Sequence, residues 1–294
     1  MTDTRIARLT PYELVFGAEL FETSLFPDIR EEVGARELEP VPPDRFTFLT
    51  TVGKLLRIIA GAEPPGGGAP ATERRPGSRE ADRAMAESAD AEALEEYGAL
   101  LFQGYQFWRH GRQLFVVEKD VVRALLQDDD GVGDDVVQPP HPAGYLQLPR
   151  NLVWARAGEE QPPEPVDGVF WTRQELDGDA RLDVLLVLGM RPDRPGFSVV
   201  SVADELEGGR PGDWSRNARP DGTDFENVLP GGELDALFAV TTPAEALKLA
   251  ALLFRHVERN PGSLGGVEAN PEGAEPASSH DLPPSELRFR RVGP

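Results

Sequence analysis

Between residues 94 and 108, apolar side chains return every three or four positions. Leu94, Tyr97, Leu101, Tyr105 and Trp108 form one stripe, and Leu100, Phe102 and Phe107 widen it. That period predicts a helix over 90–112, and the width of the stripe predicts burial on more than one side. Gly111 suits the left-handed position beyond its end. An earlier helix is announced by Thr10-Pro11-Tyr12-Glu13, which offers a capping threonine, a proline in the first turn and a glutamate that reaches back to the cap. Leu14, Ala18, Phe21 and Leu25 continue it; Pro27 interrupts, and Asp28 caps a short helix ending near Gly34. Phe46, Leu49, Gly53, Leu56 and Ala60 predict a helix within 44–63. Thr242-Pro243-Ala244-Glu245 opens another, with Leu247, Ala250, Ala251, Phe254 and Val257 on its core face and Asn260-Pro261-Gly262 as its stop.

From residue 144 the period shortens. "GYLQL", "NLVWARA", "GVFWTRQ", "LDVLLVL" and "FSVVSVA" are five β-prone runs separated by Pro, Gly or Asp clusters. Their connections are too short for crossover helices, so an antiparallel meander is the economical topology. Before them, "QLFVVEK" reads as a strand and Asp120 as the cap of "VVRALL".

These elements predict a single α+β domain: a helical N-terminal half packed on an antiparallel β-meander of about five strands, closed by a C-terminal helix over 243–259. Residues 1–62 form its N-terminal helical part. Residues 63–83, "EPPGGGAPATERRPGSREADR", have no apolar face and read as a flexible linker. Residues 84–260 hold the main core, and 261–294 read as a disordered tail with a basic end. The loop-rich stretch 207–233 is long for a compact domain.

Composition narrows the function classes. The chain has 294 residues and a formal net charge of −21. Affinity for nucleic acid comes mainly from Lys and Arg neutralising phosphates, so a nucleic-acid partner is not expected. Of the 30 basic residues only Lys54, Lys119 and Lys248 are lysines; with 30 Gly and 28 Pro, this matches the coding bias of a GC-rich bacterial genome. The absence of cysteine excludes disulfides, thiolate metal sites and a cysteine nucleophile. The first residues carry no apolar leader, and no window approaches the roughly eighteen apolar residues that a membrane helix needs. The expectation is an acidic, soluble, cytoplasmic protein with no membrane insertion.

Candidate chemistry is sparse. His141 sits between prolines just before the first β-prone run, and a preorganised histidine near Tyr145, Arg150 and Asp167 has the makings of a general base or an anion site. His110, His256 and His280 fall into no metal-ligand spacing, so no metal is expected. "QDDDGVGDD" (127–135) resembles a calcium loop but lacks the first and last ligands, and "RPDGTDFE" (219–226) reads as turn chemistry. Phosphate-loop, dinucleotide, kinase and hydrolase-elbow signatures are absent, and no cofactor is expected.

The aromatics give a second lead. Phe170 and Trp171 are adjacent, so in a strand they point to opposite faces, and one of them must be covered by a helix or a partner. With Trp154, and with Arg288, Arg290 and Arg291 in the basic end, they make candidate binding residues. The leading expectation is a non-catalytic binding or assembly protein that meets another protein through an interface on the meander. The alternative is an enzyme of unrecognised type acting on a small anion near His141.

Overall fold

The computed structural model describes residues 7–16, 21–33, 48, 96–127, 136–156, 162–176, 179–190, 197–206, 210, 238–240, 243–270 and 288–294. The 63–83 linker, the 127–135 acidic loop beyond Gln127 and the 219–226 turn lie outside them, as does the 44–63 helix apart from Phe48.

The chain opens with α1 (Pro11–Val15), whose capping box is present: Tyr12 donates its backbone N–H to the Thr10 hydroxyl at 3.2 Å, and the Thr10 N–H donates to Glu13 at 2.9 Å. A π-helical turn, Phe21–Leu25, leads into α2 (Phe26–Val33), which contains Pro27 in its first turn, a position where proline is tolerated. The helix α3 covers 96–109, followed by Gly111 at φ 79° and Arg112 at φ 53°. Tyr97, assigned to its core stripe, is instead 42% exposed, while Gln103 and Gln106 are buried.

Next come β1 (Leu114–Val117), α4 (Lys119–Gln127), β2 (Ala143–Gln147), β3 (Val153–Ala155), β4 (Glu164–Leu176), β5 (Asp179–Leu188) and β6 (Ser198–Leu206). The chain continues with β7 (Phe238–Val240), α5 (Pro243–Arg259), β8 (Leu264–Ala269) and β9 (Arg288–Val292).

The expected antiparallel meander is overturned. The protein is α+β, but its sheet is mixed, running β6-β5-β4-β2-β1-β9-β8, with β3 paired to β4 and β7 off that path. The five β-prone runs lie within β2 to β6, yet β2 pairs with β4 rather than β3. β1 is parallel to both β2 and β9, and β3 is parallel to β7. The parallel β1–β2 pair follows from chemistry visible in the chain: a strand, a helix and a second strand make a crossover unit, and such units yield parallel neighbours.

Nor are the helices an N-terminal half. α4 and α5 both follow β1, and α5, at 17 residues, does not close the fold because β8 and β9 come after it. The stretch 261–294, expected to be a disordered tail, supplies these two strands in its described residues. Phe289 and Val292 are its buried anchors, on opposite faces of the sheet.

Helices cover both faces of the sheet. On one, Val169 and Trp171 of β4 and Leu182, Val184, Leu186 and Leu188 of β5 pack with α4 and α5. On the other, Phe170, Leu185 and Val187 pack with aromatics of α1, α2 and α3. Burial of both faces explains why β5 reads as a continuous apolar run rather than an alternation.

Candidate functional site

Of the four residues proposed around His141, the fold brings two into contact. Tyr145 on β2 donates its hydroxyl to Asp167 Oδ2 at 2.7 Å. The register of β4 against β5 shifts between Val166 and Gly168, so Asp167 occupies a bulge. A bulge re-aims the side chain it carries, and here it turns Asp167 toward Tyr145. Arg8 reaches the same carboxylate: its Nη2 donates to Oδ1 at 2.9 Å and also to the Leu148 carbonyl at 2.9 Å. The carboxylate therefore has a partner on each oxygen. Burial pushes the Tyr145 phenol well above its usual range, and the adjacent Asp167 charge and hydrogen bond push it further. A phenol that holds its proton this firmly is a fixed donor rather than a proton shuttle.

The segment that carries Arg8 is itself gripped from two sides. Asn270 pairs with the Ala7 backbone, accepting from its N–H at 3.0 Å and donating to its carbonyl at 2.9 Å. Gln147 does the same for Arg8, at 2.8 Å and 3.0 Å. Two side-chain amides thus stand in for neighbouring strands, satisfying backbone groups that the sheet does not reach.

His141 is placed differently. Its carbonyl accepts from Trp171 Nε1 at 3.0 Å, and its ring lies 6.0 Å from that of Phe115. Partial burial, followed by the charge of Arg290, lowers its pKa. Arg150 is exposed in the turn before β3.

The aromatic candidates are all interior. Trp154 is buried and donates Nε1 to the Asn151 carbonyl at 3.3 Å. Phe170 meets Phe107 of α3 edge-on, with centroids 5.6 Å apart, and Trp171 lies 5.1 Å from Phe254 of α5. Helices of the same chain cover both rings, so neither offers a surface to a partner. Among the arginines, Arg288 is exposed, Arg290 Nη1 donates to the Gly265 carbonyl at 3.3 Å, and Arg291 pairs with Glu268 at 2.7 Å.

Two polar groupings escaped the sequence reading. Gln103, Thr172, Gln174 and Asp183 form a buried network: Gln103 Nε2 and Gln174 Nε2 donate to the Asp183 carboxylate at 3.0 Å and 3.1 Å, and the Thr172 hydroxyl donates to Gln103 Oε1 at 2.8 Å. It pins α3 to β4 and β5. The signal was present as isolated polar residues inside otherwise apolar runs, such as Asp183 in "RLDVLLVL". The second grouping lies at the end of α3, around Gln106 and His110. Among the described residues, no three His, Asp or Glu side chains gather as metal ligands, and no helix is long and apolar enough to cross a membrane.

No family model matches the chain, and no curated protein matches it. One solved structure is similar: AcrVA2, at 10% sequence identity and a TM-score of 0.44, over 96% of this chain and 81% of that one. Nothing about residues or activity transfers at this level of likeness.

Proposed function

We propose that the chain is a non-catalytic binding protein that docks another protein at the β8–β9 end of its sheet. One observation carries this reading. Val267 of β8 is 56% exposed and is the register partner of Arg290 on β9, with Ala269 opposite the exposed Arg288 one step along. Residues directly opposite on paired strands share a face, so an apolar side chain is bracketed by two arginines. Apolar contact beside Arg is the composition of an interface core. A register shift between Leu264 and Val267 leaves Gly266 with nothing around it, and among the described residues no strand pairs with the outer edge of β8. The partner that fits is an extended protein segment with an apolar side chain flanked by carboxylates. In a chain of net charge −21, two local arginines orient such a segment rather than attract acidic proteins at large.

The test is affinity purification of the tagged protein from its host at low salt, with cross-linking and mass spectrometry. The expected result is a stoichiometric partner cross-linked near 264–269 and 288–291, lost on Val267→Asp and weakened on Arg288→Glu. An unchanged partner set in both variants, or wild-type protein that elutes alone, refutes the reading.

A further inference from the structure

Gln106 lies on the inner face of α3, 0% exposed, and both ends of its side-chain amide lack a hydrogen-bond partner among the described residues. One helical turn further on, His110 presents a buried Nε2 that also lacks one. Residues four apart on a helix are surface neighbours, with Cβ atoms about 5–6 Å apart. Three unpartnered polar atoms thus converge at one place, where each orphaned buried group costs on the order of 1–3 kcal/mol. A native fold keeps such a set where something fills it.

The surroundings identify the filler. The turn after α3 brings His110 beside the start of β2: Gln113 donates to the His110 carbonyl at 3.2 Å, while its own carbonyl accepts from the Tyr145 N–H at 2.9 Å. His141, two residues before β2, is fixed through its carbonyl and through Phe115, whose register partner on β9 is Arg290. The His110 pKa falls to about 4 through burial, then the charge of Arg109, then that of His141; Arg290 acts on His141 in the same direction. The charged neighbours that move these rings are all cationic, in a chain of net charge −21. A local positive field that depresses histidine basicity also draws in an anion. The Gln106 amide adds a finer condition, because its NH₂ needs an acceptor and its carbonyl oxygen needs a donor.

We propose that Gln106, His110 and His141, flanked by Arg109 and Arg290, form a binding site for a protonated phosphate group. Its P–O⁻ oxygens accept from the Gln106 NH₂ and the histidine rings, and its P–OH donates to Gln106 Oε1. Sulfate has the same size and charge but no proton to donate.

The probe is inorganic phosphate, titrated into the full chain at pH 6 while the histidine ring signals are followed by NMR. Sulfate and methyl phosphate serve as parallel arms; a phosphate monoester is about half protonated at that pH. The expected result is a phosphate-dependent shift of the His110 and His141 rings, with the His110 pKa raised by about one unit, a tenfold preference for the protonated ring. Sulfate should bind at least about tenfold more weakly, as a lost hydrogen bond to a charged group implies. Gln106→Leu should remove that discrimination, and His110→Asn should weaken phosphate binding by a similar factor. A methyl phosphate response equal to that of phosphate assigns the site to an organic monoester, and a weaker one assigns it to free phosphate; either supports the site. Rings of the wild-type protein that ignore both anions overturn the proposal, as does an equal response to phosphate and sulfate. The wild-type measurement needs no variant to fold, and none of its residues is needed to hold the Val267 edge, so it stands or falls separately from partner docking.

Discussion

Tyr145 and Asp167 lie 2.7 Å apart, oxygen to oxygen, across two strands, in a buried place that the Arg8 guanidinium closes from the other side. The pair is a structural clasp. Tyr145→Phe keeps the ring and removes the donor, leaving one carboxylate oxygen unsatisfied. It should cost about 1–3 kcal/mol, seen as a lower urea midpoint with an unchanged slope. An unchanged midpoint would show that water replaces the phenol at no cost.

Gly168 has little room for a side chain. A Cβ there meets the Leu146 carbonyl and the Tyr145 hydroxyl, so Gly168→Ala has to push the clasp apart. Overpacking of this kind costs about 1–3 kcal/mol. Because both changes strike the same contact, Gly168→Ala and Tyr145→Phe should combine to less than the sum of their separate effects. Additive losses in a double-mutant denaturation cycle would refute the shared contact.

Trp171 separates packing from binding. Fully buried against Phe115 and Phe254, it should cost about 3–5 kcal/mol on replacement by alanine. At a temperature where the variant is still folded, its partner set should match that of the wild type. Selective loss of a partner, with the fold intact by circular dichroism, would return the aromatic to the binding surface.

His110 gives a signed pH effect. Its pKa falls from the ordinary value of 6.5 to about 4 in the folded chain. Below pH 6.5 the unfolded chain takes up a proton that the folded chain refuses, so the contribution of His110 to stability is full above pH 6.5 and is lost as pH falls toward 4. His110→Asn should flatten the stability–pH curve in that window relative to wild type, and parallel curves would show that the ring titrates normally.

How much of this was legible follows from the range over which each signal acts. The α3 stripe and the left-handed Gly111 are written within one turn of the residues concerned, and the capping box at Thr10 within four. The inward turn of Gln103 and Gln106 was not legible, because a glutamine in an amphipathic pattern reads as solvent-facing until its partners are known; Thr172 lies 69 residues from Gln103. The clasp was half legible. Tyr145 and Asp167 were singled out together, but Arg8 lies 159 residues from Asp167, and nothing local ties them. β9 was misread because its three arginines carry the appearance of a solvated tail, and the anchoring of Phe289 and Val292 shows only once β1 is in place beside it.

The position of β9 also constrains how the protein is made. It pairs with β1 on one side and β8 on the other, so a strand near the end of the chain is interior to the sheet. During vectorial synthesis β1 emerges some 170 residues before the strand that will cover its edge, and contacts over such separations close slowly. Until residues 288–292 arrive, the nascent chain carries an unsealed apolar ladder beside β1. The last few residues therefore decide whether a newly made molecule becomes a finished sheet or a substrate for chaperones.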